Sequence, residues 1–304
     1  MKVVIAGGTG FLGQPLARAL AARGYEVVVL TRGGAAKPAM PSRLVTWSPD
    51  QPNGAWTAEL DGAAAVVNLA GESIAAGRWS PARKQRILDS RLRATHALAH
   101  AIRRAARPPL SLVSGSAVGY YGPLGDEVVT EDHHAGSDFL ASVCQQWESE
   151  ALQGAGGVTR VACIRTGLVL EKDGGALSSM LPQFKLGAGG PLGSGRQFWP
   201  WIHREDWISL ILWTIDNAPV TGPVNATAPT PVTNAEFTRA LGGALHRPAF
   251  LTAPAFALRL ALGEMADALL LSGQRAVPAK AERLGFTFRH RNLDEALRSI
   301  LARS

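Results

Sequence analysis

A strand that ends in glycines and gives way to a helix is the feature that most constrains how this chain can fold. Val3-Val4-Ile5-Ala6 is followed by Gly7-Gly8-Thr9-Gly10-Phe11-Leu12-Gly13, and an apolar period of helical spacing then runs from Phe11 to Arg23. Gly7, Gly10 and Gly13 satisfy GxxGxxG, and Gly8, Gly10 and Gly13 satisfy GxGxxG. Glycines alone are weak signals. Between a strand and a helix they allow a tight turn and a close backbone approach to a pyrophosphate, with the helix N-terminus facing the phosphates. The whole loop, Gly7, Gly8, Thr9, Gly10, Phe11, Leu12 and Gly13, is therefore expected to hold a dinucleotide.

The second strand, Val27 to Leu30, ends in Thr31-Arg32. A carboxylate at that place would select a free ribose 2′-hydroxyl, whereas a guanidinium suits a 2′-phosphate. Thr31 and Arg32 thus predict NADP(H) in preference to NAD(H). Further strand-like runs at 64–69, 110–114 and 160–164 alternate with helical stretches near 80–106 and 139–152, which predicts an α/β, Rossmann-type doubly wound parallel sheet. Leu69, Ala70, Gly71 and Glu72 follow one of these strands and should border the cofactor, Glu72 by accepting from a ribose hydroxyl.

After Gly167 the pattern changes to Gly/Pro-rich connections and helices near 205–216, 234–245, 254–271 and 293–301. The expected division is a nucleotide-binding domain over 1–167, open to completion by later strands, and a smaller, mostly helical substrate or lid region over 168–304. The 254–271 stretch is interrupted by Pro254, Arg259, Glu264 and Asp267, so it reads as a buried or amphipathic helix and no membrane span is expected. Met1-Lys2 runs straight into the first strand, leaving no room for a cleaved leader.

With 31 Lys and Arg against 24 Asp and Glu, the chain carries a formal charge of +7, but its basic groups are scattered and lack interleaved aromatics. No nucleic-acid partner is expected. The two cysteines, Cys144 and Cys163, form no CxxC or Cys/His cluster, and His96 and His100 have no carboxylate ligand beside them, so no metal is expected and a reducing cytoplasm fits.

Ser114-Gly115-Ser116-Ala117-Val118-Gly119-Tyr120-Tyr121-Gly122 follows the strand-like run Leu110 to Val113. The series GGTGFLG, NLAG, SxSAVxYYG and Ile164-Arg165-Thr166-Gly167 resembles the extended short-chain dehydrogenase/reductases. That resemblance implies that Ser116 binds the reacting oxygen and that Ser114, Arg165, Thr166 and Gly167 lie along the cofactor. The usual members pair the serine with Tyr-x-x-x-Lys, the lysine lowering the tyrosine pKa. This chain departs from the pattern. Its tyrosines are Tyr25, Tyr120 and Tyr121, followed four positions on by Val29, Leu124 and Gly125, and the family's Tyr and Lys positions fall near Leu140 and Cys144.

FLxxVCQQWE, Arg78-Trp79, Ser90-Arg91, Trp201-Ile202-His203-Arg204-Glu205-Asp206 and Gly273-Gln274-Arg275 resemble the atypical "epimerase family" branch, whose substrate the resemblance does not supply. Tyr120 and Tyr121 are the nearest replacements for the missing proton donor beside Ser116. Trp199, Trp201 and His203 are expected to cover a small carbonyl or hydroxyl substrate. The reading is an oxidoreductase or epimerase-like protein; its alternative is a noncatalytic NADP(H)-binding regulatory or interaction protein. By analogy with other such folds, a homodimer is expected.

Overall fold

The computed structural model describes residues 1–33 and 41–302. Strands β1 (Lys2–Ala6), β2 (Glu26–Thr31), β3 (Arg43–Thr46), β4 (Ala65–Asn68) and β5 (Ser111–Ala117) are joined by two later strands, Arg160–Thr166 and Gly222–Ala226. They form one seven-stranded parallel sheet, in the order Gly222–Ala226, Arg160–Thr166, β5, β4, β1, β2, β3. A parallel sheet is covered on both faces, which is why its strands are runs of valine and isoleucine rather than alternating patterns.

Alternate residues serve the two faces. Val3, Ile5, Val27, Val29 and Val67 pack under α1 (Gly13–Ala22) and α5 (Arg204–Asp216), through Leu16, Leu20, Trp207 and Leu210. Val4, Val28, Val66 and Leu112 pack against α2 (Pro81–Arg104), through Ala94, Leu98 and Ile102, with Trp47 and Trp56 at the far edge. Each such aliphatic side chain contributes about 1.5–3 kcal/mol by leaving water. α3 (Phe139–Leu152), capped by the Asp138 carboxylate, packs beside α2.

A third core lies beyond the sheet. It joins α4 (Gly175–Lys185), α6 (Asn234–Leu245) and the C-terminal helix Leu293–Ala302 through Leu177, Phe184, Phe237, Leu241 and Leu297. Asp206, at the start of α5, accepts the backbone N–H groups of Arg289 at 2.9 Å and His290 at 2.8 Å, tying this region to the sheet. The expected single helix over 254–271 is instead α7 (Ala255–Leu262), a stop at Gly263 with φ +64°, and two short turns. α7 has no fully buried residue; Ala255, Leu258 and Leu262 are half-buried while Phe256 and Leu260 stand exposed, so one buried helix over the whole stretch is corrected and a short helix with a half-buried face stands in its place. The sequence reading also missed β3 and α4. The first is a short edge strand, and the second carries an internal Pro182 that obscures its period.

Candidate functional site

Strand order reverses between β4 and β1, whose ends are in register at Ala6 and Asn68. Crevices at such reversals lie beyond the carboxyl ends of the strands. A cleft of about 1200 Å³ opens there, lined by Gly7, Thr9, Gly10, Thr31, Arg32, Leu69, Ala70, Gly71 and Glu72, all of them anticipated from sequence.

The glycine loop has specific reasons for its composition. Gly7 has φ +79°, and a Cβ there would lie 2.7 Å from the Leu69 carbonyl carbon and oxygen; a Cβ at Gly13 would run into the Gly7 oxygen and the Gly8 backbone. The N-cap of α1, Leu12, offers its helix no side-chain acceptor, and no acidic residue occupies the first turn. Gln14 N–H turns back to the Gly10 carbonyl at 3.1 Å and Pro15 has none, so in the first turn the Gly13 N–H is the one left for an anion.

Other expected cofactor residues are placed differently. Gly8 packs on Val29, Phe11 on Gly174 and Gly175, and Gly13 inside the turn, so these shape the loop. Glu72 is ion-paired with Arg83 at 2.7 Å, which competes with a ribose hydroxyl for its oxygens. Ser114 is fully buried, Thr166 accepts from the Trp207 indole at 3.1 Å, and Gly167 is pressed against Pro200. Sequence reasoning missed the α2 face formed by Arg86, Asp89, Ser90, Arg93 and Ala94, and the Trp47-Ser48-Pro49-Asp50 turn, which complete the cleft. The i, i+3, i+4, i+7 spacing on α2 was the available signal.

At the carboxyl end of β5 the register Ser116 opposite Arg165 brings two side chains of neighbouring strands together. Glu148, on α3, meets both. Its Oε1 accepts the Ser116 hydroxyl at 2.6 Å and Arg165 Nε at 2.8 Å, and its Oε2 accepts Arg165 Nη2 at 2.9 Å. Arg165 Nη1 donates to the Tyr121 hydroxyl at 2.9 Å, which in turn donates to Asn225 Oδ1 at 2.7 Å. Its guanidinium also lies 3.4 Å from the Tyr120 ring centroid.

Arg165, only 3 % exposed, is a buried ion-pair partner of Glu148. Tyr121 is equally enclosed, burial pushes its phenol up to about 12, and its hydroxyl is engaged by Arg165 and Asn225. Tyr120 keeps its hydroxyl free of hydrogen bonds among the described residues. Leu140 packs on Gly119, and Cys144 lies against Ser116 and the Ala117 N–H, so the positions of the usual catalytic pair hold an alkyl group and a thiol.

The residues expected over a substrate are buried elsewhere. Trp201 is fully enclosed, its indole N–H bonded to the Thr230 carbonyl at 3.0 Å, and Trp199 packs on Phe237 in the third core. His203 caps α5 by accepting the Glu205 N–H and stacks on His290 at 3.7 Å. His203, Glu205 and His290 do bring potential ligand atoms within 4.8 Å of one another. Parallel stacked imidazoles aim their nitrogens side by side rather than at a common point, and His290 Nε2 is 3.0 Å from Glu205 Oε2, so the cluster serves as a helix cap joined to a hydrogen-bonded pair.

Residues 3–226 match the model described as NAD dependent epimerase/dehydratase family, and residues 253–300 match a domain of unknown function, DUF1731. The chain belongs to the NAD dependent epimerase/dehydratase family. Among relatives of this epimerase family, a protein of Mycobacterium leprae named epimerase family protein is 44 % identical over 97 % of this chain and 94 % of its own. The Homo sapiens epimerase family protein SDR39U1 is 38 % identical over 99 % of this chain and 100 % of its own. A crystal structure of the human protein with NADPH superposes with a TM-score of 0.91 at 36 % identity, covering 100 % of both chains. MoeE5 in complex with UDP-glucose and NAD shares the fold at a TM-score of 0.79 and 22 % identity, covering 99 % of this chain and 98 % of its own. Among the described residues no helix is long and apolar enough to cross a membrane.

Proposed function

We propose that this member of the epimerase family is an NADP(H)-dependent oxidoreductase or epimerase-like enzyme acting on a small carbonyl or hydroxyl compound. The observation that carries the reading is the crevice itself. Glycine backbone and an uncapped helix N-terminus face one end, and the exposed Arg32 stands at the close of β2, where a 2′-phosphate would be gripped. The human relative, whose structure holds NADPH, supports the same preference.

Bound in the crevice, the nicotinamide ring would donate or accept hydride. The chain's own residues would do the rest. Ser116, whose proton is directed to Glu148, presents oxygen lone pairs to a substrate hydroxyl, and Glu148 is held in place by two hydrogen bonds from Arg165. Tyr120, beside this group, is the proton donor we assign. The thiols of Cys144 and Cys163, both free and buried, support residence in a reducing compartment such as the cytoplasm.

The test is titration of the protein with NADPH and NADH, followed by measurement of NADPH consumption over panels of carbonyl compounds and nucleotide sugars, with S116A and Y120F as controls. NADPH is expected to bind more tightly than NADH, and turnover to fall in both variants. Failure of either nucleotide to bind overturns the proposal. The second reading, a noncatalytic NADP(H)-binding regulator or interaction protein, is favoured by Leu140 and Cys144 at the usual catalytic positions; tight binding without turnover on any panel selects it.

A further inference from the structure

Apolar side chains crowd one strip of the surface of the C-terminal region. Leu186, Phe250, Leu251, Phe256 and Leu260 are each between 52 % and 85 % exposed, and no other phenylalanine, tyrosine or tryptophan is exposed among the described residues. The backbone brings them together. Arg247 Nε donates to the Lys185 carbonyl at 3.1 Å, the Leu251 N–H to the Gly189 carbonyl at 3.1 Å and the Ala253 N–H to the Pro191 carbonyl at 2.9 Å, so 185–191 and 247–253 run side by side. α7 begins directly beyond them. On it Phe256 and Leu260, four residues apart, share the face turned away from the half-buried Ala255, Leu258 and Leu262.

The segments that carry these side chains hold no carboxylate. From 174 to 203 and from 237 to 263 the sequence has no Asp or Glu, while Lys185, Arg196, Arg239, Arg247 and Arg259 fall within them. Arg259 is answered on the protein by Asp267, which accepts from its Nε and Nη2 at 2.9–3.1 Å. Lys185 and Arg247 are exposed, stand next to Leu186 and close to Phe250 in the chain, and form no ion pair with a carboxylate among the described residues. The strip is therefore apolar with a positive border. Exposed apolar side chains grouped in this way mark a contact surface. A second copy meeting it across a two-fold axis would set one acid-free strip against another, like charge facing like charge. A nucleic acid would meet the cations and leave the phenylalanines and leucines in water. An anionic membrane surface satisfies both, taking apolar side chains into the boundary of its acyl chains while its headgroups meet Lys and Arg.

We propose that this strip docks the protein on an anionic lipid surface, with Phe250, Leu251, Phe256 and Leu260 entering the interface and Lys185 and Arg247 meeting the headgroups. The attachment is peripheral. α7 has 8 residues and is far too short to cross a bilayer, so it lies along the surface, held to the protein by its half-buried side. Docking of this kind is reversible and salt-sensitive, because few side chains enter the lipid and part of the attraction is between charges that ions screen. The inference does not depend on which nucleotide the crevice holds.

Flotation with vesicles tests it. Wild type, F256S/L260S and K185E/R247E are each mixed with vesicles of phosphatidylcholine alone and with vesicles of phosphatidylcholine and phosphatidylserine in equal parts. Wild type is expected to bind the mixed vesicles about tenfold or more tightly than the neutral ones, and each variant to lose about tenfold or more on the mixed vesicles. In about 1 M salt, where the screening length falls to about 3 Å, wild type should be released. Failure of wild type to bind the mixed vesicles, equal binding to both kinds, or undiminished binding by both variants overturns the proposal. So does a wild-type dimer, seen by light scattering, that F256S/L260S converts to monomer, since the strip is then a contact between copies. Melting temperatures show whether the variants fold. Should either pair of substitutions unfold the protein, hydrogen exchange of wild type decides: slower exchange over 247–262 with mixed vesicles bears the proposal out, and unchanged exchange there overturns it.

Discussion

Arg165 grips Glu148 with two hydrogen bonds, Nε to Oε1 at 2.8 Å and Nη2 to Oε2 at 2.9 Å, inside the molecule where both side chains are almost wholly enclosed. A buried pair of this kind costs desolvation to assemble, and removing one member leaves the other charged and unpaired. R165M or E148L alone is therefore expected to destabilise the protein by about 3–5 kcal/mol, while the double variant recovers most of that loss. Urea unfolding of the four proteins measures it. Additive losses in the double variant would show that the pair is not coupled.

The glycine loop makes a sharper prediction. G7A must place a Cβ 2.7 Å from the Leu69 carbonyl carbon at a φ of +79°, and the strain falls on the turn that faces the phosphates. A stability loss of about 1–3 kcal/mol is expected, together with NADPH affinity reduced by about tenfold or more. Melting curves and NADPH titration read the two effects separately. Wild-type affinity in G7A would place the dinucleotide elsewhere.

Arg32 tests nucleotide choice. R32A is expected to lower the NADPH/NADH affinity ratio by about 10- to 150-fold, the range for a charge-assisted hydrogen bond. The change should fall on NADPH, with NADH little affected. An unaltered ratio would assign discrimination to other residues lining the cleft, such as Arg93.

Alkaline pH should unfold the protein through buried groups that must lose protons. Burial pushes Tyr121 up to about 12 from 10.0, Cys144 up to about 11 from 9.0 and Cys163 up to about 12 from 9.0. Each folded pKa lies above its unfolded value, so the stabilisation is whole below about pH 9 and is lost as pH rises toward about 12. Unfolding free energies measured across that window are expected to fall steeply. In Y121F the tyrosine share of the slope disappears, while the orphaned Asn225 Oδ1 and one N–H of Arg165 Nη1, whose other still reaches the Glu131 carbonyl, cost about 1–3 kcal/mol at neutral pH. An identical alkaline slope in Y121F would refute the assignment.

Much of the sheet was legible because local rules and tertiary rules agree there. β1, the glycine turn, β2 and β4 each follow from short-range pattern, and Gly7, Thr9, Gly10, Arg32 and Gly71 among the residues so anticipated line the crevice. The catalytic and substrate residues were not legible in the same way. Tyr121, Trp201 and His203 have the chemistry of a site, but burial gives them internal partners in Asn225, Thr230 and His290. An aromatic ring with a polar edge serves a core or a pocket equally well, and sequence does not say which side of it faces solvent.

Read alone, the chain determined that a strand, a glycine turn and a helix must build a dinucleotide crevice, because those constraints act within a few residues of one another. Only the tertiary structure decided that Glu148, far along the chain, sits between Ser116 and Arg165, and that the Arg91 guanidinium lies over the Trp147 ring. Both depend on how α2 and α3 lie across β4 and β5. That placement is fixed by packing between distant segments, which no local pattern encodes.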